Sequence, residues 1–447
     1  MSTKTWIGNA AAVKDICTIK VNGVWNSNDT ATLTLNGKDL IVTVGTPVTT
    51  TDIATLLAAA WNATSRLNGA TGSSNFGGQE MGEFSEVTAS SSADVLTLTA
   101  NTAGVPFQAY LTRAEVTSDN GTLGAVTSVQ AATGPNFWND ADNWDSGSVP
   151  ANGDTVVFRD SDKDCLYGLP DNSGTPREVA VKIYNSFRGR LGLPAINKNG
   201  GTSKYFSEFR QRYLKLNNAG GGSTASHQIG IGAGPGPAMV NIDHTTLTTT
   251  FDIDVNSPIP TDGTYTVNVI CPAGATIKAR RGSINLSDQD SATASVTSIT
   301  VAARNSSVNE VEISSIGNAS TACTVNQSGG KLTLDWATWS TNGLTINRGE
   351  CHLYTCGIPS AEISEGALYD YGTGTIATLV LNNGGILDVS RGAGAITITN
   401  ATYYEGCRVA NPGERITHTN AIATKGRVNV IAQNLDYGYN RTLQIAG

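Results

Sequence analysis

Val325-Asn326-Gln327-Ser328-Gly329-Gly330-Lys331-Leu332 is the first of five segments that carry one pattern. The others are Ile346-Asn347-Arg348-Gly349-Glu350-Cys351-His352-Leu353, Ile363-Ser364-Glu365-Gly366-Ala367-Leu368, Leu381-Asn382-Asn383-Gly384-Gly385-Ile386-Leu387 and Ile398-Thr399-Asn400-Ala401-Thr402. Their starts lie 21, 17, 18 and 17 residues apart, a period too short for paired helices and suited to β-coils built of strand, polar turn and strand. In each segment an aliphatic residue precedes the turn. Asn, Ser or Thr stands where it can pair with its counterpart in the next rung, and Gly supplies the positive φ of a sharp corner. The pattern predicts a right-handed parallel β-helix with Val325, Ile346, Ile363, Leu381 and Ile398 stacked in one interior column. A β-sandwich with hairpins at similar spacing is the alternative, although sandwich turns recur at roughly 8 to 12 residues, closer together than these.

Composition agrees with a mainly β protein. At 447 residues the chain fits two or three globular domains or one elongated array, and the repeats favour the array. Charged residues make up 15% and aromatic residues 6%, with 49 Gly and 3 Met; this balance is poor in helix formers and rich in turn and strand residues. The formal charge of −8 argues against nucleic acid as a partner, because phosphate binding calls for clustered Lys and Arg. The nearest such cluster, Lys204 to Lys215 with Arg210 and Arg212, is interrupted by Glu208 and reads as a solvated face. The opening residues Met1 to Gly8 contain no apolar signal region, and no apolar run approaches the roughly 20 residues of a spanning helix. Neither secretion nor membrane insertion is expected. Cys17, Cys165, Cys271, Cys323, Cys351, Cys356 and Cys407 form an odd, scattered set, which fits reduced thiols in a protein made in a cytosol.

Four regions follow from the patterning. Residues 1–134 are expected to form a small α+β module of ββαββ type. Within it, Ala31 to Val44 alternates at period two across Asn36-Gly37 as a hairpin, and Thr51-Asp52 caps a helix bearing Ile53, Leu56, Leu57, Ala60 and Trp61 on one face. More strands follow at Ser85 to Ala89, Val95 to Ala100 and Phe107 to Leu111. Residues 135–158 contain Trp138 and Trp144 among acidic and turn-forming residues. Two indole rings there would cover the open edge of a first coil, so this stretch reads as a cap. Residues 159–430 are expected to be the parallel β-helix, with looser rungs before Val325 and excursions at Leu193 to Phe209 and Asn217 to Ala225. Residues 431–447 read as a C-terminal tail or cap.

Little in the chain carries complete catalytic chemistry. Neither a Gly-X-Ser-X-Gly elbow nor His-Glu-X-X-His occurs. Glu350, Glu365, Asp370 and Asp388 fall in neighbouring coils and would supply an acid and a base if they converged, but they occupy different turn positions. His227, His244, His352 and His418 are the only histidines, and no two have ligand spacing. Cys351 and Cys356 flank His352 without a second pair of metal ligands, so buried rung positions explain them better than zinc. No cofactor and no metal is expected. Trp336 and Trp339, with Asp335 beside them, are a candidate glycan platform or, alternatively, a lid over the coil.

The stretch Trp138 to Phe158, with Asn143-Trp144, Gly147, Pro150, Gly153-Asp154 and Val156-Val157-Phe158, resembles the opening signature of β-solenoid proteins on bacterial surfaces and in phage particles. Thr324 to Leu334 and Val380 to Val389 are similar to coils of the same class. Thr32 to Val44, Thr51 to Ala63 and Ser85 to Ala100 are similar to modules of phage and prophage structural proteins. The resemblance implies a non-enzymatic virion structural protein, assembled in the host cytoplasm and exposed on the virion surface. Its N-terminal module would dock on other virion proteins, and its shaft would project as capsid decoration or as a tail fibre or spike. It further implies a homotrimer in contact with a host surface glycan. A bacterial surface adhesin and a β-helix polysaccharide depolymerase are the rival classes; an adhesin would add an export signal and an anchor.

Overall fold

The fold is that of a computed structural model, described over residues 2–36, 38–45, 49–64, 86–116, 120–170, 179–192, 214–217, 227–246, 250–253, 266–270, 275–286, 296–303, 310–317, 323–336, 339–354, 357–411, 413–426, 431–433 and 440–442. It is mainly β, with one α-helix, Thr50–Thr64, among the described residues. Twenty-two strands between Thr3 and Lys425 form one sheet, and the pairings from the first rung to the last run parallel. Before Thr324 the chain alternates between two lines of strands. Ala180–Tyr184, His227–Ile231, Thr250–Ile253, Ala275–Ala279 and Val296–Val301 pair in succession along one line. Arg190–Leu191, Met239–Thr246, Val267–Ile270, Gly282–Asn285 and Val311–Gly317 do so along the other. The single strand Thr324–Trp336 spans both lines, pairing first with Val296–Val301 and then with Val311–Gly317. Leu344–Leu353 and Ile358–Asp370 stack on it in the same way.

Side chains alternate between the two faces of a strand, so a fixed parallel register makes columns of like residues. One column runs Cys165, Leu191, Val240, Val267, Ile284, Ile313, Leu332, Cys351, Leu368, Leu387 and Val409, every member buried. A second runs through the backbone places of Phe158, Ile183, Ile229, Ile253, Ala279, Val301, Gln327, Ile346, Ile363, Leu381 and Tyr403. The column expected from the repeat is therefore part right and part wrong. Ile346, Ile363 and Leu381 do stack, but Val325 belongs beside them with Leu344, Ala361, Leu379 and Ala401. Ile398 stacks on Ile376 and Ile358.

The reason lies in unequal turns. From Gln327 the column advances 19 residues to Ile346, then 17 to Ile363, 18 to Leu381 and 22 to Tyr403. Spacing the motifs evenly displaces the outer two members. The place expected for Val325 holds Gln327, a fully buried polar residue whose Nε2 donates to the carbonyls of Gly329, Gly330 and Glu350 at 3.2, 3.0 and 2.9 Å. It joins its own turn to the next rung. Gly349, in the following turn, has φ +93°, and a Cβ there would stand 2.5 Å from the Gly330 oxygen, so only glycine lets these turns stack.

The N-terminal region is organised differently from the expected block of residues 1–134. Thr3–Thr5 pairs in parallel with Thr155–Phe158 and forms the first rung of the large sheet. Trp6 lies in the core of that sheet, edge-on to Trp144 at 5.2 Å and near Phe158 at 6.0 Å. Trp138 and Trp144 are both fully buried there, 4.8 Å apart, so the cap contains the two expected indoles and a third supplied by the chain's first residues. The module is thus inserted into the cap. Its two ends meet where Val13 N donates to Thr133 O at 2.8 Å.

Within the module one sheet contains Ile16–Asn22, Val87–Ser92 and Val95–Ala100 with two short edge strands, and a second contains Lys38–Thr43, Thr30–Leu35 and Ala109–Ala114. The helix is held on the first sheet by Trp61 Nε1 to Val87 O at 3.1 Å and by a reciprocal pair of bonds between Asn62 and the Ala89 backbone. Its cap is Thr49, two residues before the expected pair. Thr49 Oγ1 accepts from Asp52 N at 3.3 Å while Asp52 Oδ2 accepts from Thr49 N at 2.9 Å, the reciprocal arrangement of a capping box. A buried ion pair, Asp29 with Arg113 at 2.7 Å, ties the second sheet to the loop after Asn22. The expected excursions, Leu193 to Phe209 and Asn217 to Ala225, lie almost wholly outside the described residues. The segments Ile431–Gln433 and Asn440–Thr442 pair as an antiparallel hairpin.

Asn143 connects the cap to both neighbours. Its buried Oδ1 accepts from Ala10 N at 2.8 Å, and its Nδ2 donates to the Gly134 and Phe137 carbonyls at 2.8 Å each. Removing this side chain leaves the buried Ala10 N–H without a partner and takes one of two donors from each of the Gly134 and Phe137 carbonyls. Asn143→Ala should therefore lose about 2 to 4 kcal/mol of stability, read as a lower urea midpoint; an unchanged midpoint would show that the cap does not depend on this residue.

Candidate functional site

The outer face of the stack is most distinctive over the rungs Thr324–Trp336, Leu344–Leu353 and Ile358–Asp370. Alternation turns Leu332, Leu334 and Trp336 inward and leaves Lys331, Thr333 and Asp335 partly exposed. On the next rung His352 faces out next to the inward Cys351 and Leu353, with Tyr354 following. Register then places Tyr369 over His352 and Asp388 over Tyr369. The rings stack as the strands do. His352 lies 4.8 Å from Tyr369 with planes 17° apart, and Tyr354 lies 4.6 Å from Tyr371 with planes 8° apart. His352 Nδ1 and the Tyr371 hydroxyl are 3.0 Å apart, which ties the two stacks together.

Charges flank the rings. Glu312, Lys331 and Glu350 occupy successive places of one column, and Lys331 Nζ donates to Glu312 Oε1 at 3.1 Å. Glu350 Oε2 stands 3.5 Å from His352 Nε2. Burial holds the His352 imidazole below its ordinary pKa in spite of Glu350, so the ring is neutral at pH 7. Burial, with Glu350 and Asp388 adding to it, raises the Tyr369 hydroxyl above its usual value. The flank therefore offers ring faces, hydroxyls and carboxylates.

The expected platform of Trp336 and Trp339 is not on this surface. Trp336 is 0% exposed and Trp339 6%; they pack edge-on at 5.0 Å. Their indole nitrogens are spent on Ser315 Oγ and the Cys323 carbonyl, each at 2.9 Å. Both lie in the core of the stack, and of the expected trio Asp335 alone faces out. The sequence does contain a signal for the actual rings: Tyr354, Tyr369 and Tyr371 sit at outward places once the register of Leu353 and Leu368 is fixed.

The four candidate acids stand in four different columns. Glu365 lies along a different column and pairs with Arg348 at 3.0 Å, 64% exposed. Asp388 accepts from Ser390 N at 2.8 Å. Glu350 and Asp388 are two rungs and two residues of register apart, a backbone separation of at least ~10 Å at ~4.8 Å per rung. Asp370 points inward, in line with Leu334 and Leu353, and accepts from Gly372 N at 3.0 Å. Next to it the buried guanidinium of Arg415 donates to the carbonyls of Asp370, Gly372, Val389 and Gly394 across successive rungs.

The remaining candidates are structural. His227 is buried and accepts from Val181 N at 3.1 Å, burial pulling its pKa to about 4. His418 meets the Tyr403 hydroxyl at 2.9 Å, and the side chain of His244 lies outside the described residues. Cys351 and His352 face opposite sides of their strand, so they cannot hold one ion together, and Cys356 lies outside the described residues. Among the described residues no three potential ligands cluster, and no helix is long and apolar enough to cross a membrane. A cavity of about 430 Å³ lies where the module meets the cap, lined by Asp15, Cys17, Phe107, Tyr110, Val126 and Phe137 among others. In comparisons with known proteins, no family model and no curated protein matches this chain.

Asp370 gives the interior a pH dependence. Burial raises its pKa from 3.8 to about 6, against the opposing pull of the Gly372 N–H and Arg415. A carboxyl whose folded pKa lies above its unfolded value stabilises fully below about pH 4, and that contribution is lost as pH rises through 6. Asp370→Asn removes the charge and keeps an acceptor for Gly372. It should unfold at higher urea than the parent at pH 8, by up to about 3 kcal/mol, with the difference gone at pH 4; equal midpoints at pH 8 would place the carboxyl in water instead.

Proposed function

We propose that this chain is a non-enzymatic structural protein of a phage particle, projecting from the virion surface as capsid decoration or as a tail fibre or spike. In this reading the two lines of parallel strands close into a right-handed β-helix, the hand that crossovers between parallel strands adopt. The N-terminal module docks on other virion proteins. Three copies assemble around a threefold axis, hiding lateral faces that carry few charges.

The observation that carries the reading is where apolar surface is exposed. Ile7, Val24, Ile41, Leu56, Tyr110, Val116, Val126 and Val129 are exposed on the module or at its root, with Val24, Val116 and Val129 at 60% or more. On the stack only Tyr354 and Tyr404 are exposed large hydrophobics among the described residues. Eight of the ten exposed large hydrophobics among the described residues fall on the module or at its root, which favours the module as the part that meets another protein. The pairing of Glu365 with Arg348 and the inward place of Asp370 leave two of the four carboxylates engaged within the chain, which supports a role without catalysis.

Because the module's ends meet at Val13 and Thr133, residues 14–132 can be excised and the ends joined through two glycines. The shortened chain should keep the thermal unfolding of the stack but be missing from purified particles, by mass spectrometry; its continued incorporation would show that the stack makes the contact. Absence of the intact chain from particles would overturn the virion reading itself. Native mass spectrometry of the intact chain at micromolar concentration should return three copies, and a monomer would remove the threefold arrangement.

A further inference from the structure

Stacked rings line the outer flank, and we infer that Tyr354 and Asp335 form a carbohydrate-binding site that takes one pyranose ring of a glycan. Tyr354 and Tyr371 are nearly parallel and one rung apart, so their planes lie across the stacking direction and Tyr371 covers one face of Tyr354. The other face looks toward the preceding rung. There Leu334 pairs with Leu353, and Tyr354 N donates to Leu334 O at 3.0 Å, which sets the backbone of Asp335 beside that of Tyr354 on the preceding rung. An aspartate reaches less far from the backbone than a tyrosine. Tyr354 is 44% exposed and Asp335 partly exposed, so a longer ring and a shorter carboxylate are both offered to solvent.

That geometry suits a sugar on both counts. The C–H face of a pyranose is apolar and lies flat on an aromatic ring, and its rim of hydroxyls donates to a carboxylate in charge-assisted hydrogen bonds. The two residues supply a ring face and an acceptor from adjacent rungs. The ring face is also held ready. Tyr371 backs the ring, and the Tyr371 hydroxyl is fixed to His352 at 3.0 Å, so little side-chain freedom is lost on binding. A nucleobase would stack equally well, but its phosphates would meet Asp335, Glu350 and Asp388 on the same flank of a chain with net charge −8, and Lys331 is already paired with Glu312.

The site is independent of particle docking, which uses the opposite end of the chain, so either can fail without the other. The intact chain is screened on a broad microbial glycan array, and the best oligosaccharide is then measured by saturation-transfer NMR and titration. Tyr354→Ala and Asp335→Ala should each weaken its Kd by about tenfold or more, while Tyr354→Phe, which keeps the ring face, should stay within about threefold of the parent. All three substitutions are on the surface, and an unchanged melting temperature verifies the fold. No saturable binding to any glycan, binding indifferent to Tyr354→Ala, or binding to a single-stranded oligonucleotide in place of glycans would each overturn the assignment.

Discussion

In-register parallel pairing is the constraint on which the rest of this molecule depends. Once Thr324–Trp336 pairs with both Val296–Val301 and Val311–Gly317, every later strand inherits a fixed inward and outward set, because a slip of one residue would exchange the two faces. The interior columns are the result. Their members are mostly Ile, Leu and Val, which suit a pleated, fully buried position. Each column is extended by one residue per rung, so the core grows with the chain and has no centre to fill.

Such a core tolerates polar residues only where the backbone can satisfy them. Gln327, Asp370 and Arg415 show three solutions. Gln327 spends its amide on carbonyls of its own turn and the next rung. Arg415 donates to carbonyls from several rungs near the last of them, where strands shorten to three residues. Asp370 answers burial by holding its proton more tightly. At the other end Asn143 does similar work for the cap, taking one donor and two acceptors from segments far apart in the chain. Asn143 and Arg415 thus meet backbone groups that turns and ends leave without strand partners.

The same alternation that builds the core builds the flank. Asp335 and Trp336 are neighbours in sequence and opposites in space, one facing the solvent and one facing the core. Ring stacking between Tyr354 and Tyr371 follows from rung spacing, since strands about 4.8 Å apart hold equivalent aromatic side chains at stacking distance. A surface of this kind can be altered at one outward place without disturbing the columns behind it. That separation makes a binding role compatible with an otherwise repetitive shaft.

The sequence by itself determined the strand-rich class, the parallel stacking of Ile346, Ile363 and Leu381, the helix over Ile53 to Trp61 and the burial of Trp138 and Trp144. Each of these rests on local signals, namely periodicity, turn glycines and a capping pair, that act within a few residues. Tertiary structure alone decided that Thr3–Thr5 and Trp6 belong to the first rung, that Val325 and Ile398 join other columns, and that Trp336 and Trp339 lie in the core while Tyr354 stands outside. Those outcomes depend on turn lengths that vary from rung to rung and on pairings between residues some 150 positions apart, such as Thr3 with Thr155. The sequence pattern fixes which residues alternate; only the register between strands fixes which phase of the alternation faces the core.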